Sequence, residues 1–219
     1  WDFSLGADDR RRAGELAGGT RPLVVISPCS SQRFRNYRNW SIGNYTAVVR
    51  HLVGTRAARV VLTGGPTDME RGYGAAIQQA LGGPANGSVI NLIGQTRLKE
   101  LFAVIQAADL VICPDSGPAH LATAARVPVV GLYATSNRHR TGPYFSQRLV
   151  VDRYPEAVRQ EFGKPVEALR WGERVRDPGA MDLIRVEDVI GRSDQVLDGT
   201  LRPDGGSPAV AAPASDAGN

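Results

Sequence analysis

Five short, predominantly apolar runs recur along the chain, and a helical pattern follows each of the first four. The runs are Leu23-Val24-Val25-Ile26, Arg59-Val60-Val61-Leu62-Thr63, Val89-Ile90-Asn91-Leu92, Leu110-Val111-Ile112-Cys113 and Val127 to Leu132. Runs that are apolar throughout, not only at alternate positions, mark strands buried on both faces. After the first run, Ile42, Tyr45, Val48, Val49, Leu52 and Val53 fall at helical spacing, with Ser41 placed to cap the helix. After the second, the turn Gly64-Gly65-Pro66 leads into a helix from Asp68 to Leu81. Thr96 is expected to cap a third helix with Leu98, Leu101, Phe102 and Ile105 on one face, and Pro118 to Arg126 forms a fourth. This alternation predicts a doubly wound α/β domain over residues 20–150, with a Rossmann-like parallel sheet of five or six strands. The loops after Ile26, Thr63, Leu92 and Cys113 then share one edge of that sheet.

Outside this span the pattern weakens. Residues 1–20 are polar and read as a linker, with a short helix around Arg12 to Leu16. Residues 152–182 read as an irregular crossing segment, and Leu183, Val186, Val189, Ile190 and Leu197 mark an amphipathic C-terminal helix ending near residue 198. Residues 199–219 hold Gly, Pro, Ala and Ser with hardly a large apolar side chain, so a disordered tail is expected.

Composition removes several function classes. Of 219 residues 42% are hydrophobic, enough for a core, and the net charge of +4 comes from Lys and Arg interspersed with acids. No basic stripe for nucleic acid emerges. The two cysteines, Cys29 and Cys113, read as reduced, half-buried thiols of a cytoplasmic protein, and neither has neighbours at zinc-ligand spacing; no metal and no cofactor are expected. No apolar run approaches the ~20 residues of a membrane span, and Trp1-Asp2-Phe3-Ser4 has no leader pattern. A chain opening on Trp is expected to be a fragment or a processed product.

In doubly wound sheets ligands sit at the carboxyl ends of the strands. Pro114-Asp115-Ser116-Gly117-Pro118-Ala119-His120 follows the fourth strand. Pro118 suits a first helical turn and Gly117 permits close approach of a ligand. The N–H groups of Ser116, Gly117 and Ala119 are expected to face an anion such as a diphosphate. The competing reading is a plain helix start capped by Asp115 or Ser116, with His120 a surface histidine. The loop from Ser27 to Trp40 is rich in hydroxyls and carries Arg33, Arg35 and Arg38, suited to phosphate or simply solvated. Trp40 reads as a hydrophobic staple. The Thr63-Gly64-Gly65-Pro66 turn lacks the lysine and spacing of a Walker loop, and Gly94-Gln95-Thr96 reads as a helix opening.

Taken in order, these loops resemble a known family. The run Val111 to Ala122 containing Asp-Ser-Gly-Pro-Ala-His, then Val127 to Tyr133 and Arg140-Thr141-Gly142-Pro143-Tyr144, is similar to the C-terminal half of family-nine glycosyltransferases, the lipopolysaccharide heptosyltransferases. The likeness covers roughly residues 20–198. It implies a GT-B enzyme of two Rossmann-like domains, with this half binding the donor, ADP-heptose, for inverting, metal-free transfer to the lipopolysaccharide inner core at the cytoplasmic face of the inner membrane. It also implies that Ser116, Gly117 and the helix start at Pro118 hold the diphosphate, that Asp115 contacts the sugar, and that His120 lies among the donor contacts. Ser30, Ser31 and Arg38 occupy the place of the family's hydroxyl pair and phosphate-binding lysine, and Gly94, Gln95 and Thr96 border the adenine. The chain departs from the family in having Arg38-Asn39-Trp40-Ser41 where Lys-x-Trp-Pro is usual, and in extra residues between Ser30 and Trp40. The acceptor site and catalytic aspartate belong to the other half, so no catalytic residue is expected here. Two rival readings stay open: another GT-B activity on UDP-sugars, transferase or epimerase, and a non-catalytic nucleotide-binding module.

Overall fold

The computed structural model describes residues 4–17, 22–30, 37–83 and 87–204. Six parallel strands form one sheet: β1 (Leu23–Ile26), β2 (Arg59–Leu62), β3 (Val89–Asn91), β4 (Leu110–Pro114), β5 (Val129–Tyr133) and β6 (Val151–Asp152), in the order β3-β2-β1-β4-β5-β6. The register aligns the strand ends, with Ile26 opposite both Leu62 and Ile112, and Leu62 opposite Asn91. The four expected loops therefore do leave a common edge.

Continuous apolarity of the strands has a direct cause. Val24, Ile26, Val60, Leu62, Leu110, Ile112, Val130 and Leu132 pack into one core with α2 (Ile42–Arg56) and α8 (Val186–Leu197). Leu23, Val25, Val61, Val111, Cys113 and Val129 pack into the other, against α4 (Leu98–Gln106) and α5 (Gly117–Ala124). Alternate residues of each strand thus serve opposite helical layers. The remaining helices are α1 (Ala7–Ala17), α3 (Asp68–Gln79), the single turn α6 (Arg138–Thr141) and α7 (Tyr154–Phe162).

Several local expectations hold. The Ser41 hydroxyl accepts from Asn44 N at 3.1 Å and caps α2. Trp40, one residue earlier, stacks edge-on against Tyr45 at 5.2 Å between centroids, the staple geometry. Others are corrected. Arg97, not Thr96, precedes α4, with its N–H donating to Glu100 Oε2 at 2.8 Å. Leu98 is 65% exposed, since the buried stripe of α4 starts a turn later at Phe102. Within the stretch expected as a linker, α1 docks on α4 and Leu5 and Ala13 join Phe102 and Ala103 in a small core. The segment expected to be irregular contains α7, which buries Tyr154, Ala157 and Val158. Of the tail, residues 205–219 lie outside the described residues. Asp204 is tied down, its N–H donating to Phe145 O at 2.7 Å and its carboxylate accepting from Arg148 N at 3.1 Å. Among the described residues no helix is long and apolar enough to cross a membrane.

Candidate functional site

The strand order places a topological switch between β1 and β4: the chain leaves β1 toward β2 and leaves β4 toward β5, on opposite sides. Loops diverging from such a point open a crevice at the carboxyl edge, where ligands of this architecture bind. The loop ending at Trp40 flanks one side and the turn Asp115-Ser116-Gly117 the other.

Arg38 joins them. Its Nη1 donates to Asp115 O at 2.9 Å and lies 3.4 Å from Asp115 Oδ2. Asp115 is 7% exposed at its side chain, and a second guanidinium, that of Arg174, stands 3.7 Å from the same oxygen. The carboxylate is therefore occupied by two cations and does not cap α5. Ser116 holds the cap position, but its hydroxyl donates to Pro114 O at 3.1 Å. Neither expected cap makes a side-chain bond to the helix start, so among the described residues the Ser116 and Gly117 N–H groups are left for another acceptor. Ala119 is a correction: it is fully buried and its N–H bonds Ser116 O at 3.1 Å, so it does not face an anion.

Gly117 is exposed, and a Cβ built there meets nothing within 4 Å. Packing does not require the glycine, and the space beside it is open. Gly94 is the opposite case. Its φ is +72°, its N–H donates to Gly64 O at 2.9 Å, and a Cβ would stand 3.0 Å from Pro66 Cα, so the fold itself requires glycine. Gln95 turns back, its Nε2 donating to Asn91 O at 2.9 Å, and Thr96 is partly exposed beside it. The glycine turn after β2 is closed from inside: Glu70 accepts from Gly65 N at 2.9 Å and from the Thr67 hydroxyl at 2.8 Å. That N–H is consumed, which agrees with the absence of a Walker pattern.

Ser30 is buried and its N–H donates to Asn39 Oδ1 at 2.9 Å, pinning the two ends of the basic loop together. Ser31, Arg33 and Arg35 lie outside the described residues. Trp40 anchors the loop to the C-terminal segment, its Nε1 donating to Ile184 O at 3.0 Å in a buried bond. His120 is exposed and lines a groove of about 600 Å³ with Leu121, Gly142, Tyr144 and Phe145. The two motif blocks, Asp-Ser-Gly-Pro-Ala-His and Arg-Thr-Gly-Pro-Tyr, are thereby brought side by side. Cys113 is fully buried and Cys29 nearly so, not half-buried, and burial pushes each thiol up to about 12. Both are protonated at neutral pH and unsuited to nucleophilic roles.

Arg174 escaped the sequence reading. It lies in a stretch without periodicity, where Val175 is the lone large aliphatic between Gly172 and Pro178 and the only local sign of a buried attachment.

A doubly wound domain with a guanidinium and an open helix start at its switch point defines the class as Rossmann-like. A family model described as glycosyltransferase family 9 (heptosyltransferase) matches residues 1–170. The chain belongs to that family. It is 36% identical over 192 residues to the lipopolysaccharide core heptosyltransferase OpsX of Haemophilus influenzae, covering 88% of this chain and 53% of that protein. It is 33% identical over 189 residues to lipopolysaccharide heptosyltransferase 3 of Escherichia coli, covering 85% and 50%. The chain thus spans about half the length of the curated relatives it matches. Among solved structures, a family 9 glycosyl transferase from Veillonella parvula superposes with a TM-score of 0.66 at 22% identity, covering 90% of this chain and 53% of that one. The ADP-heptose lipopolysaccharide heptosyltransferase II of E. coli gives 0.66 at 20% identity, covering 91% and 54%.

Proposed function

We propose that this chain is the donor-binding part of a heptosyltransferase that moves heptose from ADP-heptose to the lipopolysaccharide inner core, with inversion at the anomeric carbon. One observation carries the reading: in a member of family 9, Arg38 and the uncapped start of α5 converge at the switch-point crevice. Relatives named as lipopolysaccharide heptosyltransferases support the sugar and acceptor class. The E. coli structure named for ADP-heptose supports the nucleotide.

In this reading Ser116 N, Gly117 N and Arg38 hold the diphosphate, Ser30 and Ser31 border it, and His120 contacts the donor from the first turn of α5. Gly94, Gln95 and Thr96 edge the adenine. The acceptor hydroxyl attacks the anomeric carbon, the bond to the β-phosphate oxygen breaks, and ADP departs with the electron pair. Negative charge on the leaving diphosphate grows in the transition state, so Arg38 and the α5 dipole contribute more there than in the ground state. The proton of the acceptor hydroxyl passes to a base in the acceptor-binding half of a GT-B enzyme, which works at the inner face of the inner membrane. Each charge-assisted hydrogen bond to the diphosphate contributes about 1.5–3 kcal/mol.

Isothermal titration of the full chain with ADP, ADP-heptose and UDP tests the proposal. Binding of ADP and ADP-heptose at least tenfold tighter than UDP is expected. A preference for UDP, or no nucleotide binding, would overturn it.

A further inference from the structure

We infer that Arg174 is a second phosphate-binding cation of this site, positioned together with Arg38 by the Asp115 carboxylate. The inference rests on the nucleotide-diphosphate reading above and adds a residue that neither the Asp115 to His120 block nor the Arg140 to Tyr144 block contains.

The backbone around Arg174 is fixed from both sides. Val175 is 2% exposed and its N–H donates to Thr135 O at 3.1 Å, just past the end of β5. Glu173 O accepts the Tyr154 hydroxyl at 2.8 Å. The side chain between these anchors points to the crevice, bringing Nη1 within 3.7 Å of Asp115 Oδ2. At that distance the contact is an ion pair without a hydrogen bond. Among the described residues the guanidinium donates no hydrogen bond, although its side chain is 35% exposed. Arg138 and Arg153 differ in being committed: Arg138 donates to Gln147 O at 2.7 Å and pairs with Asp152 at 3.1 Å, and Arg153 pairs with Asp188 at 2.5 Å.

Charge accounting points the same way. One carboxylate faces two guanidinia, leaving a net positive charge beside the open start of α5. A guanidinium with its fork unfilled, held by a buried carboxylate in a crevice, is matched to bidentate recognition of a phosphate. Asp115 acts here as a positioning residue, aiming two cations that approach from opposite sides of the switch point.

The test uses the full chain, with ADP as ligand and adenosine as the phosphate-free control. Arg174→Ala is expected to weaken ADP binding about tenfold, to flatten its dependence on salt concentration, and to leave adenosine binding and the melting temperature unchanged. Arg174→Lys, which keeps the charge without the fork, is expected to recover part of the loss. If Arg174→Ala binds ADP as tightly as the wild type, the inference fails while the donor reading stands. An equal loss for ADP and adenosine with a lowered melting temperature makes the residue structural and likewise overturns it. A wild type that binds no ADP defeats the donor reading itself, and this inference with it.

Discussion

Replacing Trp40 with Phe tests whether the phosphate-side loop is held by the C-terminal segment. The indole is fully buried, stacked edge-on against Tyr45, and its Nε1 donates to Ile184 O at 3.0 Å. Its own carbonyl accepts the Tyr73 hydroxyl at 3.0 Å, so the residue ties α2, α3 and the approach to α8 together. Phenylalanine keeps a ring in the site but has no N–H, and the buried Ile184 carbonyl loses its partner, at about 1–3 kcal/mol. The smaller ring also leaves a hole, comparable to a minor core truncation of roughly 0.5–1.5 kcal/mol. The expected loss is about 2–4 kcal/mol, a fall in melting temperature of roughly 5–15 °C for a chain of this size. Thermal and urea unfolding measure it. Because Arg38 sits two residues upstream, ADP affinity should fall as well, measured below the transition where the variant is folded. A variant within about 0.5 kcal/mol of the wild type would refute the argument, since neither the hydrogen bond nor the packing would then be holding the loop.

Two glycines should fail in opposite ways. Gly94→Ala puts a side chain at φ +72° and against Pro66 Cα, so it should cost at least 1–2 kcal/mol in urea unfolding. Gly117→Ala meets open space, so stability should hold within about 0.5 kcal/mol while ADP affinity drops several-fold by titration. The reverse pattern would remove Gly117 from the site. The thiols make a pH prediction: Cys29 and Cys113 have folded values raised to about 12 from 9.0, chiefly by burial. The unfolded chain therefore releases these protons first, and their contribution, complete below pH 9, is lost as pH rises from 9 to 12. Unfolding at pH 8 and pH 10 on the wild type and on Cys29→Ala/Cys113→Ala should show a shallower alkaline decline in the double variant. At pH 7.5 both native thiols should resist iodoacetamide until the chain is unfolded.

The layered fold was legible because its determinants are local. Runs such as Leu23 to Ile26 are apolar at every position only when both faces of a strand are covered, and the Ile42 to Val53 spacing is helical on inspection. Ser41, Trp40 and Pro118 act within a turn of their own helices, so their identity was enough to place two helix starts. Tertiary structure decided what depends on partners far away in the chain. The helix at Ala7–Ala17, of which the sequence marks only the part around Arg12 to Leu16, is polar, and its docking on α4 has no local sign. Thr96 and Arg97 are both plausible before α4, and the choice fell to the residue whose N–H reaches Glu100. Asp115 meets Arg38 across 77 positions and Arg174 across a stretch without periodicity, so its two partners exist only once the loops after β1, β4 and α7 converge. Sequence alone could nominate the anion-binding helix start, because capping chemistry is short-range. The charge balance around it is a sum over chain-distant neighbours, and only the folded chain performs that sum.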